Sequence, residues 1–300
     1  MMNSNTQPED HLNEFTRKFL ESCNGDVEKK VRLIQSDNWI GYLSARKIVD
    51  RIENMIEMER MNRMHSLAII GSTDNGKTSI RKRIESKYRM TTTDAGSIQM
   101  PVVSIQMPPD PDARCLYNSM LKGMMLPVIS SGKVDYIRES VIDSLLDYNV
   151  KCLMMDEFQH IDRIPDRKQR TLLDTIKYIS NQISLPMVAF GTSEVLNVLA
   201  RDPQLNNRFK KVHLTQWECD EDFQRLLKSY EALLPLKEPS DLGEPSLAQF
   251  IYSQTNGTIG EIITLIRLAA IEALRSGVEK ITVEVIKAVN FESVAYKFDA

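Results

Sequence analysis

The sequence has little of what marks a membrane, exported or disordered protein. It contains no run of about 18 apolar residues, the length that a transmembrane helix needs. Its polar, acidic start lacks the basic and apolar segments of a secretory signal. Gly and Pro number only 12 each in 300 residues, which excludes collagen-like and low-complexity classes. We therefore expect a globular, cytoplasmic protein with no membrane partner.

Metal-binding patterns and a strong net charge are also missing. The four cysteines and four histidines are scattered and form no C-x-x-C pair, which argues against a zinc site and favours a reducing compartment with the thiols as small core residues. The 38 basic and 41 acidic residues give a net charge of −3, so any contact with DNA has to come from a local basic patch.

Five short apolar runs alternate with helical stretches in the middle of the chain. The runs are residues 66–70, 101–105, 150–155, 186–190 and 211–214, and the clearest helical stretch is 134–148. Near-continuous apolar strands separated by helices are typical of a parallel sheet covered on both faces. We predict an α/β domain over 61–216 with a five-stranded parallel sheet.

Both flanks of this domain read as helical. An apolar stripe with spacings of three to five residues runs through 39–64, so we expect 1–60 to form a helical N-terminal extension. After Trp217 the strand pattern stops, and helices are expected at 220–234, 244–255 and 259–276. These predict a helical domain over 217–300.

The first apolar run leads into a complete phosphate-binding pattern. Residues 71–78 read GSTDNGKT and match G-x-x-x-x-G-K-[ST] in full. Glycines let the backbone aim its N–H groups at phosphate oxygens, Lys77 reaches the β- and γ-phosphates, and Thr78 offers a hydroxyl to Mg²⁺. The alternative is a plain strand-to-helix turn with an exposed lysine. We expect ATP to bind the following residues: Gly71, Ser72, Thr73, Asp74, Asn75, Gly76, Lys77, Thr78 and Ser79.

A pair of carboxylates follows a later apolar run, in the segment CLMMDE. Asp156 is predicted to hold Mg²⁺ and Glu157 to orient and deprotonate the attacking water. The alternative is a strand end that simply becomes solvated. A complete phosphate loop earlier in the chain favours the catalytic interpretation.

Two further residues complete the predicted site. The run 186–190 is followed by GTS at 191–193. Thr192, with Ser193 as second choice, is expected to sense the γ-phosphate, although Ser193 is nearly as well explained as a helix N-cap. Arg208, favoured over Arg201, precedes the fifth run and is placed to act as an arginine finger on a neighbouring subunit. An ordinary surface salt bridge is the alternative for this arginine.

Five segments together resemble the TniB/TnsC family of transposon-encoded AAA+ ATPases. They read RMHSLAIIGSTDNGKTSI, KCLMMDEFQHID, MVAFGTSEVLNVLARDPQLNNRF, FQRLLKSYEALLPLKEPSDL and NGTIGEIITLIRLAAIEALRSG. The first two segments fit many AAA+ proteins, whereas DPQLNNRF and the series ALLPL, PSDL and GTIGEI are more specific. The resemblance covers about residues 39–281.

The resemblance implies a P-loop AAA+ core, a C-terminal helical lid and a role in transposition in the bacterial cytoplasm. Family members bind ATP and Mg²⁺, assemble with themselves as rings or filaments around double-stranded DNA, and mark a target for a DDE transposase. They take instruction from a TniQ-like targeting protein, and ATP hydrolysis disassembles the platform. The usual arginine of the lid is missing at 257–261, which suits slow, partner-stimulated turnover.

Candidate DNA contacts follow from the basic residues and from the resemblance. Residues 77–89 hold six basic side chains against one acid, and Arg81 is the candidate from this patch, although a solvated helix face explains it equally well. In the family, DNA is gripped by loops after the second strand. The matching segments here, 106–122 and 130–133, make Arg114, Lys122 and Lys133 candidates for contacts to phosphates.

Two other functions stay open at this point. One is a different AAA+ ATPase, such as a helicase loader or a remodeller of protein complexes, which would prefer single-stranded DNA or a protein client. The other is an adaptor that binds ATP as structural glue with negligible turnover.

Overall fold

The structure is a computed structural model that describes residues 11–36, 39–61 and 64–289. The strands are β1 Ser66–Gly71, β2 Thr91–Thr92, β3 Ile98–Gln99, β4 Val102–Gln106, β5 Cys152–Asp156, β6 Met187–Gly191 and β7 Phe209–Leu214. The helices are α1 Glu14–Cys23, α2 Val27–Gln35, α3 Leu43–Glu57, α4 Lys77–Lys87, α5 Ala113–Gly123, α6 Val134–Asp147, α7 Asp166–Gln182, α8 Val195–Ala200, α9 Pro203–Arg208, α10 Glu221–Glu231, α11 Pro245–Ser253, α12 Ile259–Arg275 and α13 Val283–Ala288, with a 3-10 helix at Phe158–Arg163. None of the helices in these ranges is long and apolar enough to cross a bilayer.

A single parallel sheet carries the α/β part of the molecule. Its five strands follow the order β4-β5-β6-β1-β7, and every neighbouring pair is parallel. This confirms the predicted five-stranded parallel sheet, and each predicted run forms a strand. The small antiparallel pair of β2 and β3 is an addition that the apolar pattern does not predict, because each strand has only two residues.

The central strands explain why the apolar runs are nearly continuous. Every residue of β1, β5 and β6 is buried, since helices supply apolar side chains to the sheet. Leu116 of α5, Val141 of α6 and Ile176 of α7 belong to the same hydrophobic core as these strands. β7 at one edge has exposed and half-buried positions between its buried ends.

The chain divides into two compact units. Among the described residues, the α/β unit lies within 43–215, and the helical unit combines residues of 11–42 with those of 216–289. This division differs from the expected single extension over 1–60. Helix α3 belongs to the α/β unit, where Glu57 accepts a hydrogen bond from Tyr88 and Glu53 pairs with Lys87 of α4. Helices α1 and α2 belong to the helical unit.

The helical unit joins helices from the N-terminal and C-terminal parts of the described chain. Val31 and Ile34 of α2 share a hydrophobic core with residues of α10, α11, α12 and α13. Lys30, only 1% exposed, donates to both carboxylate oxygens of Glu279 at 2.8 Å. The helices predicted at 220–234, 244–255 and 259–276 are confirmed as α10, α11 and α12.

The cysteines only partly follow expectation. Cys23 and Cys152 are buried, as small core residues should be, whereas Cys115 and Cys219 are exposed. The prediction that all four thiols are core residues is therefore wrong for the last two. Among the described residues, no group of three or more His, Cys, Asp or Glu side chains is arranged to hold a metal ion.

An aromatic cluster in the helical unit gives a test of this packing. Phe223 is fully buried, 6.3 Å from the ring of Trp217 and 5.7 Å from that of Tyr252. We predict that Phe223→Ala lowers the free energy of unfolding of this unit by about 3–5 kcal/mol, because it removes buried contacts and leaves a cavity. Urea unfolding followed by tryptophan fluorescence measures it, since both tryptophans, Trp39 and Trp217, lie in this unit.

Phe15 provides the matched control, because its side chain in α1 is 64% exposed. Phe15→Ala should change the same free energy by less than about 0.5 kcal/mol. Equal losses for the two variants would contradict the described core.

Candidate functional site

The loop between β1 and α4 has the backbone of an anion cradle. Asp74 and Gly76 adopt left-handed conformations, with φ of 56° and 84°. Such turns point successive N–H groups toward one side, and the first turn of α4 adds N–H groups that have no partner within the helix. Gly71 lies close to β7, since a Cβ there would be a tight 3.0 Å from Leu214 Cβ. The segment is therefore shaped to receive phosphate oxygens.

Asn75 fixes this loop to the sheet. Its side chain is buried, and its Nδ2 donates to the carbonyl oxygens of Leu214, at 2.7 Å, and Thr215, at 3.1 Å. The sequence pattern predicts Asn75 only as a ligand of the nucleotide. The structure gives its side chain a second role, because it ties the loop to the end of β7.

Lys77 lies at the centre of the site. Its Nζ donates to the carbonyl oxygens of Gly71 at 2.8 Å and Ser72 at 2.6 Å. Burial lowers the pKa of Lys77, and the nearby carboxylates of Asp156, Glu157 and Asp74 oppose that effect. The ammonium group is thus held within the loop, near these three carboxylates.

Loop residues around Lys77 leave the cradle open. The side chains of Ser72, Thr73, Asp74, Thr78 and Ser79 are exposed. An exposed polar rim around a buried lysine leaves room for a ligand to approach the backbone N–H groups. The structure thus brings all the predicted loop residues together in one continuous turn.

Asp156 and Glu157 stand at the end of β5, where Asp156 is held from two sides. Its Oδ1 accepts the backbone N–H of Glu157 at 3.0 Å, and its Oδ2 accepts from Nε of Arg81 at 3.1 Å. Nη1 of Arg81 also bonds to Glu85 at 2.6 Å. Arg81, expected as a DNA contact, therefore lies in the candidate nucleotide site with two carboxylate partners.

Thr192 follows β6, which lies between β1 and β5 in the sheet. Its hydroxyl donates a short hydrogen bond to Glu194 Oε2, and this bond is the largest cause of the lowered pKa of Glu194. Ser193 Oγ reaches the same carboxylate oxygen at 3.4 Å. Because β6 lies between β1 and β5, Thr192 lies between the phosphate loop after β1 and the acidic pair after β5.

Gln159 is a site residue that the sequence analysis misses. It lies in the 3-10 helix after β5, and its amide bonds to Glu157 and to the backbone of Thr192. A glutamine two residues after the acidic pair carries no signal of its own. Only the neighbouring positions of β5 and β6 bring it to both partners.

The two candidate finger arginines have different surroundings. Arg201 donates to Asp166 at 2.8 Å and lies 3.5 Å from Asp162. Arg208 donates to Ser180 Oγ at 2.7 Å and Asn181 Oδ1 at 2.6 Å, at the end of α7. Arg201 is thus engaged by carboxylates of its own chain, whereas these two bonds of Arg208 go to neutral oxygens.

A sequence profile of one known family matches this chain. The profile describes the bacterial TniB protein and matches residues 30–219, which include the phosphate loop, the acidic pair and Arg208. The chain belongs to the TniB family. It is an AAA+ ATPase, and nucleotide binding is a property of this class. A comparison with curated protein sequences gives no match.

Solved structures of ORC and Cdc6 proteins share the fold. The Aeropyrum pernix ORC1 protein in complex with DNA aligns with a TM-score of 0.61 and 14% identity, over 86% of this chain and 68% of that one. The ORC2 protein of the same organism gives 0.59 and 14%, over 86% and 70%. Cdc6p from Pyrobaculum aerophilum gives 0.56 and 13%, over 83% and 67%. At these identities, the likeness concerns the fold alone.

The donor set of the site suits Mg²⁺. Thr78 offers an exposed hydroxyl in the first turn of α4, and Asp156 offers a carboxylate at the end of β5. Hydroxyl and carboxylate oxygens are the hard ligands that Mg²⁺ prefers, usually together with phosphates and water. These two residues could therefore hold the metal in this TniB-family protein.

The DNA candidates lie on and beside α5. Nη2 of Arg114 donates to the carbonyl oxygen of Gly132 at 2.6 Å. Gly132 is the residue before Lys133, so the guanidinium contacts the loop that carries Lys133. Lys122 is exposed near the other end of α5, eight residues along the helix and so about 12 Å away. The structure therefore pairs Arg114 with the Lys133 loop and leaves Lys122 apart.

Lys77 gives the direct test of the site. Lys77→Ala should weaken binding of a fluorescent ATP analogue by about 10- to 100-fold, because a hydrogen bond to a charged group contributes about 1.5–3 kcal/mol. Lys87→Ala is the control, since Lys87 pairs with Glu53 at the other end of α4. It should change the affinity less than about twofold. Undiminished binding by Lys77→Ala would refute the site.

Proposed function

We propose that this protein is an ATP-dependent, DNA-binding regulator of transposition in the bacterial cytoplasm. It oligomerises on double-stranded DNA with ATP, marks a target, recruits a DDE transposase under the direction of a TniQ-like protein, and disassembles after hydrolysis. The observation that carries the proposal is the TniB profile match over the same residues that form the phosphate loop and the acidic pair. The roles of partners follow from the resemblance to the family.

The side chains of the site support ATP hydrolysis. Lys77 binds the β- and γ-phosphates, and the loop N–H groups orient them. Glu157 positions a water molecule and takes its proton, while Thr192 contacts the γ-phosphate. Mg²⁺, held by Thr78 and Asp156, supplies charge stabilisation of the transferring phosphoryl group.

The arginines of the helical unit support the proposal of slow intrinsic ATP turnover. The start of α12 offers no arginine at 257–261. Arg267, further along α12, donates to the hydroxyl of Tyr230 at 3.0 Å and to the carbonyl oxygen of Ser36 at 2.9 Å. Since the guanidinium of Arg267 forms hydrogen bonds within the helical unit, we propose that catalysis depends on an arginine of another subunit. Arg208 of a neighbouring subunit is the residue that we assign to this role.

Binding to double-stranded DNA is proposed through phosphate contacts by Arg114, Lys122 and Lys133. Such contacts give affinity without sequence readout and a steep dependence on salt. Two structures that share the fold, the Aeropyrum pernix ORC1 protein and the Drosophila ORC, were solved with DNA. Arg81 is left out of this set because Asp156 and Glu85 engage it.

The likeness to ORC and Cdc6 proteins favours one second candidate, an AAA+ ATPase that loads or remodels a protein complex. The two functions differ in their preferred nucleic acid. A competition experiment with labelled duplex DNA separates them. Stronger displacement by unlabelled duplex than by single strands supports the transposition regulator, whereas stronger displacement by single strands supports the second candidate.

Assembly on DNA is the first functional prediction. With a non-hydrolysable ATP analogue and duplex DNA, the wild-type chain should form rings or filaments visible by electron microscopy, and Lys77→Ala should not. Glu157→Gln should stay assembled with ATP itself, because hydrolysis is blocked. Monomers alone on DNA would refute the proposal, and Glu157→Gln that behaves like the wild type would favour an adaptor without turnover.

Arg208 tests whether the site is shared between subunits. Arg208→Ala should lower ATP turnover by roughly 10³-fold or more, as loss of an arginine finger does, without changing nucleotide affinity. Arg201→Ala is the control and should retain turnover, because Arg201 is engaged by Asp162 and Asp166.

Mixing two inactive variants sharpens this test. Glu157→Gln supplies Arg208, and Arg208→Ala supplies Glu157, so a mixed assembly contains some complete sites. Turnover should reappear when the two are combined. No recovery in mixed assemblies would show that Arg208 does not act on a neighbouring subunit.

A further inference from the structure

Gln159 joins two parts of the candidate site that come from different strands. It is 6% exposed, and its Nε2 donates to Glu157 Oε2 at 2.7 Å. Its Oε1 accepts the backbone N–H of Thr192 at 3.3 Å. A carboxylate only accepts and an N–H only donates, so the partners fix which way the amide points.

The end of β6 is shaped around this amide. A Cβ on Gly191 would lie 2.2 Å from Gln159 Oε1 and 2.6 Å from Val195 Cγ2. Real Cβ atoms do not approach other atoms this closely, so the glutamine occupies space that only glycine leaves. The contact between Gln159 and the Thr192 backbone therefore depends on the absence of a side chain at position 191.

Glu157 itself stands in an unusual backbone conformation. Its φ of 54° lies in the left-handed region, which costs a non-glycine residue about 1–2 kcal/mol and persists only where surrounding contacts hold it. The bond from Gln159 occupies Oε2. The other oxygen, Oε1, is then the one that we assign to the attacking water.

His160 does not replace this bond. Its Nδ1 lies 2.9 Å from the carbonyl oxygen of Met107, and because a carbonyl only accepts, Nδ1 carries the proton. Its Nε2 lies 3.6 Å from Glu157 Oε2, which is beyond hydrogen-bond distance. Among the described residues, Gln159 is thus the side chain within hydrogen-bond distance of the carboxylate of Glu157.

We propose that Gln159 is a positioning residue for ATP hydrolysis, which ties the carboxylate of Glu157 to the backbone of Thr192. The tie keeps the water-binding oxygen of Glu157 at a fixed place relative to the residue that contacts the γ-phosphate. A shift of either strand end then moves both groups together. This inference rests on the proposed function of Glu157 and Thr192, and it adds the residue that couples them.

The first experiment removes both hydrogen bonds with Gln159→Leu in the full-length protein. ATP turnover with duplex DNA present should fall about 10- to 100-fold, the loss expected when a catalytic base is misplaced. The dissociation constant for the ATP analogue should change less than about twofold. Unchanged turnover in a folded Gln159→Leu would overturn the inference.

Gln169 is the matched control. It is 2% exposed, and its Nε2 donates to the carbonyl oxygens of Asp162, at 3.2 Å, and Ile164, at 2.7 Å. Gln169→Leu therefore removes a buried glutamine that touches neither Glu157 nor Thr192. It should lower the melting temperature while turnover per folded molecule stays near wild type. Equal loss of turnover in both variants would mean a general packing effect and would overturn the inference.

A double-mutant cycle separates positioning from structure. If Gln159 acts through Glu157, adding Gln159→Leu to Glu157→Gln should change single-turnover hydrolysis less than about twofold, because the group that it positions is already lost. A structural defect would instead multiply the two losses. Multiplied losses would overturn the inference.

Hydrogen exchange gives a readout that needs no turnover. The amide N–H of Thr192 bonds to Gln159, so the peptide that contains it should exchange faster in Gln159→Leu and not in Gln169→Leu.

Should Gln159→Leu fold poorly, Gln159→Glu serves instead. It keeps the acceptor for Thr192 but removes the donor to Glu157 and adds a like charge, and it should lose turnover as severely. Wild-type turnover in Gln159→Glu would overturn the inference.

The wild-type protein distinguishes the two levels of this argument. If the wild-type protein hydrolyses ATP but does not assemble on duplex DNA, the proposed function is refuted. The double-mutant cycle of Gln159→Leu and Glu157→Gln then still tests the role of Gln159. Nucleotide binding with no turnover, alone or on DNA, would overturn both.

Discussion

The placement of β6 between β1 and β5 is the constraint on which the candidate site depends. Parallel strands about 4.8 Å apart end at one edge of the sheet, so the phosphate loop after β1, Thr192 after β6 and the acidic pair after β5 lie within about 10 Å along that edge. A different strand order would separate the same residues. The crevice at the carboxyl ends of such strands is where open α/β sheets bind ligands.

Polar contacts within the α/β unit hold this edge in place. Asn75 ties the phosphate loop to β7, Arg81 pairs with Asp156, and Gln159 links Glu157 to β6. Buried polar groups need partners, and these partners come from strands and helices that the sheet brings together. The groups proposed to act on ATP are thus oriented by the protein itself, which limits the reorganisation needed when nucleotide binds.

The helical unit combines α1 and α2 with α10 to α13, and the polar contacts within it support its packing. Glu231 accepts the backbone N–H groups of Ser240, Asp241 and Leu242, and Lys30 pairs with Glu279. Arg267 is committed to Tyr230 and Ser36. This commitment is consistent with an ATPase that needs an arginine from another subunit.

The sequence by itself determined the five strands of the parallel sheet, most helices and the phosphate loop, because each depends on neighbouring residues: apolar runs, helical periodicity, and glycines that permit a tight turn. The tertiary structure decided what depends on residues far apart in the chain. In the structure, α2 packs with the C-terminal helices, and α3 belongs to the α/β unit rather than to an N-terminal extension. Arg81 bonds to Asp156 and does not lie on an open surface. The tertiary structure also brought Gln159 to Thr192, since their contact requires β5 and β6 to lie side by side and Gly191 to leave space. Local patterns carry no record of such pairings, because long-range burial and hydrogen bonding arise only when the sheet is complete.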